Sequence, residues 1–412
     1  MALAPLVDDV LGGDIPLAVE AYDGSRAGPA DARTTLVIRN PDGLRRVITA
    51  PGELGIARAY VAGDLDVEGS IWDLLDLRDR MPDVRLDARV IVRLVNELGG
   101  WRQVRRVEPP AEEARLHGRR HSKARDAAAI SHHYDVSNAF YGLVLGPSMT
   151  YSCAVFHDPS DSLEQAQGNK YELICRKLGL EPGMRLLDVG CGWGGMVMHA
   201  AEHHGVRAVG VTISRRQAQL AEKRVAEAGL SDEVEIRVQD YREVADGPYD
   251  AISSIGMFEH VGEARLGEYF TRLRSLVTPD GRLLNHGISR PSGQRARLPN
   301  RSFINRYVFP DGELHDVGRV VSLVQHSGFE ARHVETLREH YALTLRRWVA
   351  NLEEHWDEAV DEVGQPRARV WRLYMAGSAR NFEAGRTQVH QVLATPTTDD
   401  GSSGMPLRPV FE

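Results

Sequence analysis

Residues 186–195 read LLDVGCGWGG, three glycines at alternate positions directly after an apolar run that ends in an acid. The run MRLLDVG (184–190) has the apolar content of a buried strand, and GGMVMHAAEHH beyond it carries a helical pattern. Gly190, Gly192 and Gly194 let the backbone turn tightly and approach a ligand closely, and the amides that open the helix can meet negative charge. The same alternation extends outward. Before the loop, SLEQAQGNKYELICRKLGL predicts an amphipathic helix; after it come the strand RAVGVTI, the helix SRRQAQLAEKRVAEAGL and the strand VEIRVQDY. The strand YDAISSIG, a helix around LGEYFTRLRSLV and the strand GRLLNHGI follow. Strands joined by helices of this length imply an α/β fold with a parallel, doubly wound sheet and ligands at the carboxyl ends of its strands. Residues 345–393 read as helical again.

The chain of 412 residues is long enough for two or three domains. Residues 1–100 predict a small α+β domain: a helix at PLVDDVLG, strands at TTLVIRN and RRVITA, and turns at NPDG and APGELG. Residues 101–128 form a basic linker; the stretch 101–125 sets eight basic residues against three acidic ones around Pro109-Pro110. It reads as a solvated connection or as a contact for an anionic surface. Residues 129–393 make the main domain, and 394–412 a loosely ordered tail.

Composition excludes several classes. The apolar fraction of 42% and charged fraction of 26% are those of a soluble globular protein, and a net charge of −8 offers no field for nucleic acid. Lysine occurs only at 123, 170, 177 and 223, which reads as a coding bias toward arginine. Cys153, Cys175 and Cys191 are an odd, widely spaced set, which argues against a disulfide framework and against a structural zinc site; no metal is expected. The amino terminus lacks the basic start of a signal peptide. No run approaches the ~18–20 apolar residues needed to span a bilayer. A cytoplasmic protein is expected, with peripheral membrane contact left open.

The D-x-G-x-G-x-G form of the loop is the signature of S-adenosylmethionine (SAM) methyltransferases rather than the G-x-G-x-x-G of nicotinamide enzymes, although the two overlap and a purely structural turn is the alternative. Asp240, after the third strand, could bind the adenine amino group with Tyr241 beside the ring. The second strand ends without the usual ribose-binding acid and offers Thr212 and Gln217 instead. SSIGMFEHVG (253–262) puts Glu259-His260 directly after a buried strand, where a carboxylate must find a partner or change its pKa.

With these residues together, the chain resembles the cyclopropane fatty acid synthases, the mycolic acid cyclopropane synthases and related fatty-acyl methyltransferases. The matching stretches are ISHHYDVSNAFYGLVLGPSMTYSCAVF, LLDVGCGWGG, VGVTISRRQ, QDYR, SIGMFEHVG, INRYVFPDGELH and LYMAGSARNF, in family order over about 130–393. The first hundred residues also resemble the extra N-terminal domain of the larger, phospholipid-acting members. The resemblance implies a class I SAM-dependent methyltransferase (Rossmann-like) fold with helical additions. It implies methyl transfer to a cis double bond in an acyl chain, followed by loss of a proton from the added methyl and ring closure, with bound bicarbonate as the base. It places bicarbonate on Cys153 (through its backbone), Glu259, His286, Ile288 and Tyr374. It places SAM against Tyr134, Ser152, Gly190, Gly192, Thr212, Gln217, Asp240 and Tyr241, to which the loop adds Asp188 and Gly194.

An alkene is a weak nucleophile and a carbocation is trapped by water, so such a site must be dry and preorganised. A carboxylate should repel bicarbonate unless the anion donates its own OH to an ionised Glu259, the preferred arrangement, or burial keeps Glu259 protonated. Cys153 is expected to act through backbone geometry, His260 to be structural, and His132-His133 to serve surface or packing roles. Val155 stands where family members commonly carry an aromatic. A smaller side chain there could let the cation lose a proton without ring closure, giving a methylene branch that a separate reductase would reduce. Residues 289–310 hold five arginines and no acid, suited to docking on the inner face of the cytoplasmic membrane, with Arg295, Arg297 and Arg301 as the test positions. The expected partners are thus unsaturated phospholipid acyl chains and a membrane surface, with a homodimer contact among the roles open to the N-terminal domain.

Overall fold

The computed structural model describes residues 2–12, 16–80, 88–101, 104–114, 137–294, 299, 302–310 and 312–411. The chain divides into two compact units, one made of residues 1–115, 299–310 and 356–377, the other of 116–298, 311–355 and 378–412. The first unit therefore draws on two later segments that the sequence assigns to the domain 129–393.

Its sheet has the order β2-β1-β3-β4, with β1 Leu17–Ala21, β2 Arg26–Ala27, β3 Thr34–Ile38 and β4 Leu65–Glu68. The expected strand RRVITA is instead part of the helix Pro41–Thr49. Asn40 caps that helix by accepting from the Asp42 amide at 2.8 Å, and Pro41 opens it, so NPDG is a helix start and not a strand-separating turn. Buried polar contacts bring in the later segments. Arg369, 5% exposed, donates to the Tyr60 carbonyl at 2.9 Å and to Asp66 at 2.8 Å. Glu113, inside the stretch read as a solvated linker, is 6% exposed and grips Arg58 at 2.7 Å, with the Tyr307 hydroxyl donating at 3.3 Å.

The second unit is built on a seven-stranded sheet of order β10-β11-β9-β8-β5-β6-β7. The strands are β5 Arg185–Val189, β6 Arg207–Thr212, β7 Val234–Val238, β8 Tyr249–Ile255, β9 Val277–Ser289, β10 Phe329–Thr336 and β11 Gln388–Pro396. The five expected strands, β5 to β9, are parallel neighbours. β10 and β11 add an antiparallel edge; β11 begins inside the segment 345–393 that reads as helical, and the sequence pattern assigns β10 no element. The helices there stop at Glu383, and Gly385 (φ +68°) lets the chain turn back into β11. β5 is buried on both faces: Leu186 packs in one apolar cluster, Leu187 and Val189 in the other. The tail is partly anchored, since β11 runs to Pro396 and Met405 and Phe411 pack on the Leu186 cluster. Strand order reverses beside β5, with β6 on one flank and β8 on the other, which places a crevice at their carboxyl ends.

Candidate active site

A cavity of 340 Å³ opens at those strand ends, within the ~300–1,000 Å³ that small-molecule ligands fill. The loop after β5 forms one wall through Gly190 and Gly192, whose φ of +84° and +54° no L side chain adopts readily. Gly194 (φ +83°) is the cap of the helix Gly195–His204 and lies off the lining. At the end of β6, Thr212 donates to Gln217 Oε1 at 2.9 Å, a neutral pair where related folds carry an acid. Asp240 and Tyr241 line the far end; Asp240 is gripped by Arg242, and the Tyr241 ring stands edge-on to Tyr269 at 4.9 Å. Tyr134 and His132-His133 lie outside the described residues.

Ser152 and Asp188 also line the cavity, together with Lys170, a residue the motifs did not single out. Lys170 comes from the helix Leu163–Leu178, which starts at a Ser162–Gln165 capping box and ends at Gly179 in the left-handed region. Its ammonium, 1% exposed, donates to Ser152 Oγ at 3.2 Å. Asp188 Oδ1 accepts from Ser253 at 2.6 Å. Burial pushes the Asp188 carboxyl up to about 6 and the Lys170 ammonium down to about 7, each charge pulling the other partly back. The cavity thus holds a buried cation and a buried acid beside the glycine loop, complementary to an amino acid zwitterion.

Glu259 follows β8 on a short 3₁₀ turn, Phe258–His260, and not on the strand itself. Its Oε1 accepts the Ile288 amide of β9 at 2.6 Å, while its buried Oε2 has no hydrogen-bond partner among the described residues. Burial raises this carboxyl to about 7, against the Ile288 amide, which favours the ionised form. Gly287 makes the approach possible: a Cβ there would lie 1.9 Å from the Phe258 ring and 3.0 Å from Glu259 Oε1. His286, one residue earlier and 2% exposed, meets Gln391 through Nδ1 at 3.1 Å, and its Nε2 is buried with no partner among the described residues. Burial drives its pKa down to about 3, so the ring is neutral. His260 lines the cavity and is likewise kept neutral by burial, at about 4.

Cys153 is fully buried, its thiol against the Ala154 and Leu337 carbonyls, and burial pushes its pKa far above the range of a nucleophilic thiolate. The backbone around it is pinned: the Ala154 amide donates to Thr344 at 3.0 Å and the Val155 amide to the Ala166 carbonyl at 2.9 Å. Cys153, Glu259, His286 and Ile288 share the second unit, and Tyr374 belongs to the first, buried edge-on against Phe309 and Trp371.

Away from the cavity, Cys175, His199 and His204 bring ligand-type atoms within 4.8 Å of one another, a convergence that cysteine spacing alone does not foresee. Glu172 lies beside both imidazoles. Glu172 faces His204 at 3.0 Å and His199 at 3.5 Å, and its other oxygen is held by Arg176 at 2.7 Å, which opposes a further cation.

Residues 121–392 match the family described as mycolic acid cyclopropane synthetase. A probable fatty acid methyltransferase of Mycobacterium tuberculosis is 51% identical, covering 97% of this chain and 96% of its own. The cyclopropane-fatty-acyl-phospholipid synthase of Escherichia coli is 34% identical over 92% of this chain and 91% of its own. Among solved structures, the mycolic acid cyclopropane synthase CmaA1 complexed with SAH and CTAB is 34% identical, with a TM-score of 0.61 over 65% of this chain and 97% of that one.

Proposed function

The chain belongs to the mycolic acid cyclopropane synthetase family, and from that premise we propose that this SAM-dependent methyltransferase acts on the cis double bond of unsaturated acyl chains in phospholipids, forming cyclopropane rings. The sulfonium of SAM supplies an electrophilic methyl group. One alkene carbon forms the new C–C bond as the C–S bond breaks, leaving S-adenosylhomocysteine and a cation on the other carbon. A proton then leaves the added methyl, and its electron pair closes the ring.

The protein's part is to hold the cofactor, exclude water and seat the proton acceptor. The neutral Thr212–Gln217 pair, the glycine loop and the Lys170–Asp188 pair favour SAM in the cavity. A bicarbonate ion, the acceptor in this reading, would be held by Glu259, His286 and the backbone near Cys153. The observation that carries it is a pair of buried atoms with no partner among the described residues, Oε2 of Glu259, which is bonded to the Ile288 amide, and Nε2 of His286, two residues before Ile288. Unpartnered buried polar groups are costly, and a small anion with both O⁻ and OH would satisfy an imidazole N–H and a carboxylate together. Ionised Glu259 would accept the bicarbonate OH and turn a basic oxygen toward the substrate.

Turnover of SAM with vesicles of unsaturated phospholipid, in buffer stripped of carbon dioxide and then resupplied with bicarbonate, tests this. Activity that follows bicarbonate supports it; activity indifferent to bicarbonate overturns the base assignment. A second reading rests on Val155, buried at 7% exposure, a smaller side chain than the aromatic that the family resemblance leads one to expect there. There the same cation loses a proton to give a methylene branch, which a separate reductase would convert to a methyl. Mass spectrometry of the lipid product, with and without a hydride-donating partner, separates the two.

Access to a lipid chain calls for a membrane surface. Among the described residues no helix is long and apolar enough to cross one. Within 289–310, Arg290 faces Asp316 at 3.9 Å and Arg306 faces Glu113 at 3.7 Å, while Arg295, Arg297 and Arg301 lie outside the described residues. Those three would supply the charge for peripheral docking, each worth roughly 1 kcal/mol near an anionic surface. Vesicle binding unchanged by removing Arg295, Arg297 and Arg301 would reject that surface.

A further inference from the structure

Three strands line up one polar residue each. In the ladder registers Glu335 of β10 stands opposite Gln391 of β11, and Gln391 stands opposite His286 of β9. Directly opposed residues share a sheet face, so the three form a row across the antiparallel edge. Lys177, fully buried on the helix Leu163–Leu178, enters this row: its ammonium pairs with Glu335 and donates to Gln391 Oε1 at 2.7 Å. The Gln391 amide nitrogen then meets His286 Nδ1 at 3.1 Å.

The donor and acceptor inventory leaves one solution. An ammonium only donates, so it requires the oxygen of Gln391 on its side. The amide nitrogen only donates, so it requires an unprotonated Nδ1 on the ring. A neutral imidazole with a bare Nδ1 carries its proton on Nε2. The orientation of the amide, ordinarily ambiguous, is set by the lysine.

We propose that Gln391, anchored by Lys177, is a positioning residue that holds His286 in the Nε2–H tautomer, so that the ring offers a fixed N–H donor to a small oxyanion. The mechanistic part of this inference rests on the anion-assisted reading above; the tautomer does not. A ring locked this way cannot serve as the base for the substrate proton, because its only accepting nitrogen faces Gln391. The proton must leave to another group, which is the task the proposed function gives to a bound anion. Burial, with Lys170 and Lys177 nearby, further disfavours the imidazolium. The wrong tautomer alone can cost several orders of magnitude in rate when a histidine's role depends on which nitrogen bears the proton.

The test reads the tautomer directly. Full-length protein labelled with ¹⁵N-histidine, the His286 signals assigned by their loss in His286→Asn, is examined by long-range ¹H–¹⁵N correlation. The expected pattern is a protonated Nε2 and a bare Nδ1. In Gln391→Glu the carboxylate should draw a proton onto Nδ1. Turnover should then fall at least ~10-fold with KM for SAM within about twofold, and with the half-saturating bicarbonate concentration raised. Lys177→Met, in which the amide is free to flip, should give mixed tautomers and an intermediate rate if Gln391→Glu fails to fold. A wild-type ring protonated on Nδ1, or a variant that keeps a pure Nε2–H ring, overturns the proposal. The expected tautomers with turnover indifferent to bicarbonate would sustain the positioning role and reject the anion reading instead.

Discussion

Glu259 and Ile288 are joined by a 2.6 Å hydrogen bond from a main-chain amide to a carboxylate, tying the turn after β8 to the last residues of β9. The bond uses one carboxylate oxygen and leaves the other buried and available. Its donor is a backbone group, so no substitution at 288 short of proline removes it. The carboxylate itself is therefore the informative position.

Glu259→Gln should retain the bond to Ile288 but lose the ability to ionise. Turnover is expected to drop about 100-fold, the usual scale of a proton-handling group. With the wild-type carboxyl raised to about 7, activity should climb as pH rises through that value. The stability sign is opposite. From about 4.5 upward the unfolded chain releases a proton that native Glu259 keeps, so the native state loses stability as pH rises toward 7. The glutamine variant should lack that decline; thermal melts across pH 5–8 and steady-state rates check both, and full turnover in the variant would defeat the assignment.

Gly287→Ala tests the close approach behind Glu259. The added methyl would sit 1.9 Å from the Phe258 ring, so the 3₁₀ turn must move. Overpacking of this kind costs about 1–3 kcal/mol. Turnover should fall more than SAM affinity, because Glu259 is displaced while the glycine loop is untouched. Urea unfolding and SAM titration on the same preparation distinguish the two effects.

Lys170→Met removes the cation beside Asp188 and the donor to Ser152 while keeping similar bulk. Leaving a buried partner unsatisfied costs about 1–3 kcal/mol, and SAM should bind ~10-fold more weakly. Isothermal titration calorimetry measures it. Affinity equal to wild type would mean that the ammonium serves the fold alone.

Glu113→Ala strands Arg58 in the N-terminal unit, where the two side chains are 6% and 11% exposed. Breaking one side of a buried ion pair typically costs 3–5 kcal/mol, roughly. A lowered urea midpoint is expected, and removal of both partners, as in Glu113→Leu with Arg58→Met, should recover much of the loss. An unchanged midpoint would return residues 104–114 to the role of a solvated connection.

The parallel half of the main sheet was legible because each strand is a short apolar run and the glycine loop fixes the phase of the alternation. β10 and β11 were not. FEARHVET mixes charged with apolar residues and breaks its alternation at Arg332-His333, as an edge strand can, and β11 follows a long helix after only the short connection 384–387. RRVITA has strand-like composition, yet the Asn40 cap and Pro41 upstream decide for helix. Of the site, the glycine loop, Thr212–Gln217 and Glu259 stand at positions that a pattern marks, whereas Gln391 reaches His286 only through a strand register. One signal went unused. In a chain that writes nearly every cation as arginine, Lys170 and Lys177 recur seven residues apart on one helix, and both are buried. An ammonium, compact and able to shift its pKa, is what a buried donor position requires.

The composition of the N-terminal unit has a consequence for synthesis. Its hydrogen-bonding partners include Arg369, which leaves the ribosome some three hundred residues after Asp66. The unit that is translated first is hence among the last to be completed, and its sheet must wait, partly unsealed, while the methyltransferase unit is being made. Vectorial folding, amino end before carboxyl end, is closed to this chain. A nascent chain stalled before residue 377 should be more readily cleaved within its first hundred residues than the finished protein.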